Sequence, residues 1–488
     1  MSLKSKAGWR FDNSYARLSD TILSRISPIP VSKPKLFIFN NILSEKLGLD
    51  FSSFSKKEMA DLFSGNLLPE GSESIAQAYA GHQFGHFTIL GDGRATVFGE
   101  HLTPNNERFD IQFKGSGPTP YSRGGDGRAA LGPMLREYII SESMHALNIP
   151  TTRSLAVVET GENVVRETAL PGAVLTRVAA SHLRIGTFQF ISAHGNLDIL
   201  KHLVNYAISR HYSNLKDEKN LALALLKTVM EKQIKLVINW MRVGFIHGVM
   251  NTDNTTISGE TIDYGPCAFM DVYNPETVFS SIDHNGRYAY FNQPGIIKWN
   301  LYRFAEALLP LIHKEQDKAI KIVQDEINNF GPLYKKKWLE MMRCKLGLFG
   351  EETEDENLID NFLLWMKENK ADYTNTFYTL VKNDFLNNNL YQNKTFNKWL
   401  QQWKLRLNKN KKTLEESFNL MKKNNPTVIP RNHKVEESLR AASIDGNIEP
   451  FNNLLKVLNN PYKENLDIKE FQEAPHIDGK AYQTFCGT

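Results

Sequence analysis

The order of the predicted secondary structure is the feature that most restricts the fold of this chain. Between residue 76 and about residue 180 the sequence is rich in glycine and in short runs typical of β-strands: HFTILGDGRATVFGE, RFDIQFKGSG, RSLAVVETGENVVRETAL and GAVLTRVAA. Among these runs, GPMLREYIISESMHAL carries apolar residues at helical spacing. From about residue 185 onward the pattern is helical, as in LDILKHLVNYAISRHY, LALALLKTVMEKQIKLVINWMRVG and PGIIKWNLYRFAEALLPLIHK. The sequence therefore predicts an α+β fold in which a β-rich lobe precedes a larger helical lobe.

Two of the β-type runs, HFTILGDGRATVFGE and RSLAVVETGENVVRETAL, have turn signals between two β-type stretches, so each is predicted to form a β-hairpin. The order of hairpin, strand, helix, hairpin and strand, followed by helices, is that of bilobal, protein-kinase-like folds, with one main helix in the N-lobe. We predict an N-terminal extension packed on the N-lobe (residues 1-75), the N-lobe (76-180), a C-lobe with the catalytic and metal-binding loops (181-330) and a C-terminal helical extension of the C-lobe (331-488).

The charge balance and the hydropathy pattern argue against several classes of protein. The chain has 58 basic and 54 acidic residues, a balance too even for a nucleic-acid-binding protein. No apolar run reaches the roughly 18 residues of a membrane span, and the N-terminal MSLKSKAGWRFDNSY lacks the apolar region of a secretion signal. The three cysteines cannot form a disulfide framework. With its Asn- and Lys-rich composition, the chain is predicted to be a bacterial cytoplasmic protein without nucleic-acid or membrane partners.

The stretch HGVMNTDNTTISGETIDYG, residues 247 to 265, carries the strongest chemical signal. Kinase-like enzymes that act on small molecules place an aspartate, which accepts the proton of the attacking hydroxyl, where this chain has Val249. A carboxylate appears instead at Asp253, where it is suited to act as general base. Asn254 and Asp263 supply oxygen ligands of the kind that hold Mg²⁺ on ATP phosphates. The alternative is that Asp253 and Asn254 only form a turn, which both residue types favour.

Lys114 and Glu137 form a second candidate pair. Lys114 ends the apolar run FDIQF, and Glu137 lies in the predicted helix of the same lobe. In kinase-like folds a strand lysine pairs with a helix glutamate, which holds the ammonium group against the nucleotide phosphates. The alternative is that Lys114 is an ordinary surface residue at the end of a strand.

Two glycine-containing turns could approach phosphates. Gly91 and Gly93 in LGDGR would let backbone amides come close to a phosphate, and Arg94 adds a guanidinium at the same turn. Asp126, Gly127 and Arg128 lie in a second glycine-rich loop that could also face phosphates. For both turns, a plain surface turn remains the alternative.

Arg177 and Arg184, in LTRVAASHLRIG, fall at the predicted junction of the two lobes. Guanidinium groups beside a cleft bind the charge of a polyphosphate in a bidentate manner. They would be ordinary solvated charges if no cleft were present there.

Long strings of this sequence resemble one family, the selenoprotein O family of kinase-like proteins. The strings are RFDNSYARL, AYAGHQFGHFTILGDGR, QFKGSGPTPYSR, HGVMNTDN, DYGPCAFMD, DHNGRYAYFNQPGIIKWNLYRFAEALLP and NPTVIPRNHKVEESLRAA, and they are spread over nearly the whole chain. Strings of this length do not recur by chance, so the resemblance is specific.

The resemblance implies a protein adenylyltransferase that transfers AMP from ATP to Ser, Thr or Tyr hydroxyls of proteins. It implies that ATP, the co-substrate, binds in an orientation reversed from that in ordinary kinases, with Mg²⁺ or Mn²⁺ as cofactor. Asp253 would then be the proton acceptor, Asn254 and Asp263 the metal ligands, and Glu137 would orient Lys114. The nucleotide contacts would be Gly91, Gly93, Arg94, Lys114, Asp126, Gly127, Arg177, Arg184 and Asp263. The protein substrates would be redox or metabolic enzymes, and self-modification fits the same chemistry.

The cysteines depart from the family pattern. Cys486 matches the cysteine or selenocysteine that the family often carries near the C-terminus, but the segment NPETVFSSIDHNG lacks the cysteine that can pair with it in relatives. Cys267 has apolar neighbours and is predicted to be a buried core thiol. A redox role of Cys486 is therefore a hypothesis.

Two other functions remain open from the sequence. One is a kinase-like enzyme that transfers the γ-phosphoryl group, against which Val249 argues because the usual base is missing. The other is a nucleotide-binding pseudokinase scaffold without turnover, which would not need to keep Asp253, Asn254 and Asp263 together. The preference for ATP over UTP and the oligomeric state are not specified by any motif.

Overall fold

A computed structural model describes residues 7–385, 388–464, 468–475 and 482–484 of the chain. Its strands are β1 (Leu23–Arg25), β2 (Lys35–Phe39), β3 (Ile75–Gln83), β4 (His86–Gly91), β5 (Ala95–Leu102), β6 (Arg108–Lys114), β7 (Ala129–Ala130), β8 (Arg153–Val165), β9 (Ala169–Ala179), β10 (Phe245–Ile246) and β11 (Ala268–Phe269). The helices of the first half are α1 (Asn41–Leu47), α2 (Lys56–Phe63), α3 (Leu131–Ala146), α4 (Ile185–Ala193), α5 (Leu197–His211) and α6 (Leu221–Val243). Those of the second half are α7 (Gln293–Ile312), α8 (Gln316–Asn328), α9 (Phe330–Lys345), α10 (Asp355–Glu368), α11 (Tyr373–Lys382), α12 (Lys394–Asn408), α13 (Leu414–Asn424), α14 (Asn432–Ser443), α15 (Glu449–Leu458) and α16 (Lys469–Gln472).

The N-terminal lobe is built on one antiparallel sheet. In the described part of the chain its strand order is β1-β3-β5-β6-β9-β8-β2, with β4 paired to β3 and β7 paired to β9. The first 75 residues thus supply β1 and β2 at opposite ends of this order. Helix α3 packs on β8 and β9 from one side, whereas α1 and α2 contact β2, β8 and β9. Because helices cover this region of the sheet, β6 and much of β8 and β9 are buried.

The predicted α+β class is confirmed, since a β-rich lobe with one long helix precedes a larger helical lobe. The predicted helices at GPMLREYIISESMHAL, LDILKHLVNYAISRHY, LALALLKTVMEKQIKLVINWMRVG and PGIIKWNLYRFAEALLPLIHK correspond to α3, α5, α6 and α7. Helix α3 is buried almost all round, because α14 and α15 pack against it as well as the sheet does. Part of the C-terminal extension therefore covers the helix of the N-terminal lobe.

The predicted hairpin in HFTILGDGRATVFGE is wrong. Strand β4 pairs with the preceding β3, through a ladder from Ala78–Gly91 to Gln83–His86, and β5 pairs mainly with β6. The turn between β3 and β4 contains Phe84 and Gly85, which have φ angles of 51° and 92°. Such positive angles suit a two-residue hairpin turn, so the close connection forms there and not at the later glycines.

The predicted hairpin within RSLAVVETGENVVRETAL is also wrong. The chain forms one long strand, β8, which pairs with β9 on both sides of a register shift between Glu159 and Asn163. Gly161 in this bulge has a φ angle of 73°. The glycine therefore accommodates a β-bulge, and the reversal of the chain follows after Val165.

Residues 247 to 265 form a loop in the helical lobe, between strands β10 and β11. Helix α6 begins after Asn220, whose side chain accepts a hydrogen bond from Leu223 N, and ends at Gly244 in the left-handed conformation. Strand β10 follows at once and pairs with β11, so the intervening chain is held as a closed loop against the sheet. None of the helices in the described residues is sufficiently long and apolar to traverse a lipid bilayer.

Candidate functional site

A cavity of about 380 Å³ lies between the sheet and the loop that joins β10 to β11. All the sequence-predicted base, metal and nucleotide residues line it: Gly91, Gly93, Arg94, Lys114, Asp126, Gly127, Arg177, Arg184, Asp253, Asn254 and Asp263. Val249 also lines the cavity. Glu137 lies behind the wall, where it contacts two of these side chains. The structure therefore brings together residues that are spread along the sequence from Gly91 to Asp263.

Glu137 holds two cations at the inner end of the cavity. Its Oε2 accepts a hydrogen bond from Lys114 Nζ at 2.6 Å, and its Oε1 accepts bonds from Arg177 Nε at 2.9 Å and Nη2 at 2.5 Å. Both cations also donate to Asp263 Oδ1, at 2.9 Å from Lys114 and 2.6 Å from Arg177. The two carboxylates and two cations neutralise one another, so buried charges are paired as they must be in a low-dielectric site.

Asp263 is the member of this cluster that faces the cavity. Burial alone would raise the pKa of Asp263, but Arg177, Lys114 and Arg184 outweigh it and hold the pKa well below its ordinary value. The residue also adopts a φ angle of 62°, in the left-handed region that is uncommon outside glycine. The surrounding contacts thus keep an ionised carboxylate in a restricted backbone conformation.

Arg184 extends the positive charge along the wall. Its guanidinium lies 4.4 Å from the centre of the Tyr79 ring, 3.8 Å from Asp92 Oδ1 and 3.9 Å from Asp263 Oδ2. The last two are longer than hydrogen bonds, so the cation is buried without a close carboxylate contact. It is therefore suited to receive a further anionic group.

The donor set at Asn254 and Asp263 fits a hard divalent cation. Asn254 Nδ2 donates to Val249 O at 3.1 Å, which leaves the amide oxygen as its metal-binding atom. Asp263 Oδ1 is occupied by Lys114 and Arg177, whereas Oδ2 has only the distant Arg184. Within the described ranges there is no cluster of three or more His, Cys, Asp or Glu residues that could hold a metal ion. Two protein oxygens suit Mg²⁺, which takes its other ligands from phosphates and water.

Asp253 is buried in the cavity wall against strand β3. A Cβ atom at Gly81 would lie 2.2 Å from Asp253 Oδ1, so only glycine allows the carboxylate to sit there. That Oδ1 atom is buried and has no hydrogen-bond partner among the described residues. Burial raises the pKa of Asp253 to about 6. The site therefore contains a carboxylate oxygen that is not engaged by any described residue.

Nearly the whole chain is similar to known proteins. The family model described as protein adenylyltransferase SelO matches residues 7–459. The chain belongs to the SelO family of protein adenylyltransferases. It is a nucleotidyltransferase that uses a nucleotide to modify proteins.

Relatives of this SelO chain are found in several bacteria. A protein nucleotidyltransferase YdiU of Pelagibacter ubique is 61% identical over 99% of this chain and 99% of its own length. The protein of the same name from Nitrosococcus oceani is 57% identical over 99% of this chain and 98% of its own. Among solved structures, ROP2 from Toxoplasma gondii, described as a virulence factor with a protein-kinase fold and no enzymatic activity, is similar at 9% identity and a TM-score of 0.24. That match covers 68% of this chain and 86% of ROP2.

Close packing is a second explanation for the glycines in the two glycine-rich turns. A Cβ at Gly91 would lie 2.3 Å from the ring of Tyr121, which packs over the turn. Gly127, with a φ angle of 63°, passes so close to Gly117 that a Cβ there would lie 2.1 Å from its carbonyl. Asp126 pairs with Arg166 across 2.9 Å. The predicted approach of these glycines to phosphates remains a prediction, since packing within the loop also demands them.

Several lining residues of the SelO cavity were missed by the sequence analysis. They are Tyr79, Asp92, Gln112, Tyr121, Arg123 and Arg166. The string TPYSRGGDGR, with its paired arginines around glycines, was a signal for the loop residues. Nothing in the sequence indicated that Tyr79 would lie beneath Arg184. Cys267 is fully buried, as predicted, whereas Cys486 lies outside the described residues.

Changing Gly81 to alanine tests the close packing of Asp253 in this protein. The added methyl group would collide with the carboxylate, and Gly81 lies in the β3–β4 ladder, so the backbone cannot easily move away. We expect AMP transfer to fall at least about tenfold, a cost of about 1.4 kcal/mol, while binding of a fluorescent ATP analogue is retained. Ala78→Gly, on the same strand, is the control. An unchanged transfer rate in Gly81→Ala would contradict this account.

Proposed function

We propose that this chain transfers AMP from ATP to Ser, Thr or Tyr hydroxyls of proteins, with the α-phosphate and not the γ-phosphate facing the acceptor. The observation that carries the proposal is the position of Asp253. Its carboxylate lies in the cavity wall, and its Oδ1 atom accepts no hydrogen bond from the described residues. The position of the ordinary kinase base is occupied by Val249, which cannot accept a proton.

The reversed nucleotide is supported by the distribution of charge. Lys114, Arg177 and Arg184 gather near Asp263 at the inner end of the cavity. These cations would bind the β- and γ-phosphates, which carry most of the negative charge of ATP. The α-phosphate would then face Asp253. The predicted contacts at Gly91, Gly93, Arg94, Asp126 and Gly127 complete the nucleotide site.

The proposed reaction is one in-line displacement at the α-phosphorus. The acceptor hydroxyl oxygen forms a bond to this phosphorus, and the bond to the oxygen that bridges to the β-phosphate breaks. The proton of the hydroxyl passes to the carboxylate of Asp253, and pyrophosphate leaves with the electron pair. Lys114 and Arg177, preorganised by Glu137, stabilise the charge that develops on pyrophosphate.

Asn254 and Asp263 would hold Mg²⁺, or Mn²⁺, on the phosphates. The cation would neutralise phosphate charge and help to orient the nucleotide. The chain's own contribution is the amide oxygen of Asn254 and the less engaged oxygen of Asp263.

ATP labelled at either the α- or the γ-phosphate tests the proposed function. We expect only the α label to appear on protein, only with Mg²⁺ or Mn²⁺, because the hydroxyl attacks the α-phosphorus. Transfer of only the γ label would instead identify a kinase-like enzyme, and transfer of neither would identify a scaffold. The same assay with α-labelled UTP measures the choice of base, and label on the enzyme itself measures self-modification.

For the protein substrates and the cellular location, we keep the expectations given by the family resemblance and by the sequence. Redox or metabolic enzymes of the bacterial cytoplasm are the proposed acceptors. Mass spectrometry of labelled proteins from a bacterial extract would identify them, and a set of periplasmic proteins would contradict this expectation.

A further inference from the structure

A second cavity, of about 590 Å³, opens beside the nucleotide cavity. The β3–β4 turn separates the two, because Gln83 lines the first and the adjacent Phe84 lines the second. Its walls include Phe84, Ile282, His284, Arg287 and Ile296. None of these residues was assigned a role in the proposed function.

The second cavity is tied directly to the loop that carries Asp253. Asn251 Oδ1 accepts hydrogen bonds from Phe84 N at 3.3 Å and from Tyr288 Oη at 2.5 Å. His82 N donates to Thr252 Oγ1 at 2.9 Å, and the rings of Phe84 and Tyr288 lie 5.4 Å apart. The Phe84 side of the cavity is therefore linked directly to residues next to Asp253, and the Asp283 side is linked to them through Tyr288, whose backbone N donates to Asp283. A polypeptide bound in this cavity would have its neighbouring residues close to that carboxylate.

The cavity presents apolar surface at its rim. Ile282, which lines the cavity, is 54% exposed, and Phe291, next in sequence to the lining residue Asn292, is 53% exposed. Large apolar side chains that are exposed together beside a cavity indicate a binding surface. They would pack against apolar parts of a polypeptide.

The second cavity carries positive charge that is not balanced by a carboxylate of the described residues, which favours binding of an anion. Asp283 is the carboxylate of the wall, and its two oxygens already accept hydrogen bonds from Arg287 N at 2.9 Å and Tyr288 N at 2.8 Å. The Arg287 guanidinium stacks 4.9 Å from the centre of the Trp299 ring. Within the part of the chain that the structure describes, Arg287 forms no ion pair with a carboxylate, and its Nε atom is buried without a hydrogen bond. An acidic side chain of a ligand would supply the missing counter-charge.

From these contacts we infer that the second cavity binds the acceptor protein, through an extended segment next to the modified hydroxyl that places an acidic side chain on Arg287. This inference rests on the proposed AMP transfer and adds to it a preference among acceptors. The occupant is a protein because proteins are the substrates of this family. It is acidic because Arg287 has no carboxylate partner among the described residues of the chain.

Synthetic peptides with a single serine test the inference. Each peptide carries Glu, Gln or Lys at one position within about four residues of the serine, a distance set by the reach of an extended chain of about 3.3 Å per residue. We expect the wild-type enzyme to label one or more Glu peptides with α-labelled ATP at least about tenfold better, in kcat/KM, than the matching Lys peptides. Arg287→Glu should reverse this preference, and Arg287→Gln should remove it.

Arg303, a second arginine that contacts the Trp299 ring, provides a matched control. Arg303 lies 5.1 Å from the centre of Trp299 but does not line the cavity, so Arg303→Glu should keep the Glu preference. Fluorescent ATP-analogue binding checks that each variant retains its nucleotide site. An unchanged preference in Arg287→Glu and Arg287→Gln, or labelling of whole proteins but of no peptide, would overturn the acceptor site while AMP transfer stands. Absence of α label from every protein and peptide would instead remove the proposed function and this inference with it.

Discussion

Replacing Asp253 by asparagine is expected to slow AMP transfer by about 10²- to 10⁴-fold, the usual contribution of a positioned general base. Asparagine keeps the shape of the side chain that fits against Gly81, but its amide cannot accept the proton of the hydroxyl. Nucleotide binding should change little, because Lys114, Arg177 and Asp263 remain in place. Single-turnover transfer of α label, measured beside the Kd of a fluorescent ATP analogue, separates the two effects.

The control for Asp253→Asn is Asp217→Asn, at an exposed carboxylate outside the cavity. It should leave both the transfer rate and the Kd unchanged. If Asp253→Asn retained most of the single-turnover rate, Asp253 would not be the proton acceptor. The hydroxyl of the substrate protein would then have to lose its proton to water or to phosphate.

Replacing Asp263 by asparagine is expected to reduce transfer by on the order of 10³-fold, because metal-assisted charge stabilisation contributes several kcal/mol. Unlike the change at Asp253, this one should also weaken nucleotide binding in the presence of Mg²⁺. It removes a metal-binding oxygen and leaves Glu137 as the close carboxylate partner of both Lys114 and Arg177. Titration of the nucleotide Kd against Mg²⁺ concentration is the measurement.

The two aspartates can therefore be told apart by their response to the metal. Raising the Mg²⁺ concentration should partly recover nucleotide binding in Asp263→Asn and should do nothing for the rate of Asp253→Asn. Asn254→Ala, which removes the other proposed ligand, should resemble Asp263→Asn. If the Mg²⁺ dependence of Asp263→Asn matched that of the wild type, the metal ligands would lie elsewhere.

The contacts of Glu137 show which parts of the site could be predicted from the sequence and which could not. The sequence predicted that Lys114 and Glu137 belong together, since a strand lysine and a helix glutamate recur in this layout. It gave no reason to expect Arg177 on the other oxygen of Glu137, or both cations on Asp263. Those contacts depend on β6 and β9 lying side by side, which is a property of the sheet.

At the turns, the glycines were recognised in the sequence but their structural role was not. Glycines in LGDGR and ETGEN were visible in the sequence, but a glycine serves equally in a hairpin, a bulge or a close approach. Strand pairing with β3 decided the first case, and a register shift against β9 decided the second. The partner strand lies outside each local string, so the string could not specify the outcome.

By itself the sequence determined the α+β class, the long helices and the residue types from which the site is made, because periodicity and residue chemistry are local properties. The tertiary structure alone decided that Gly81 must be glycine, that Arg184 lies over Tyr79, and that the β3–β4 turn separates two cavities. Each of these facts is a distance between segments far apart in the chain. Such distances are set by how the sheet and the helical lobe pack together, and no local pattern encodes them.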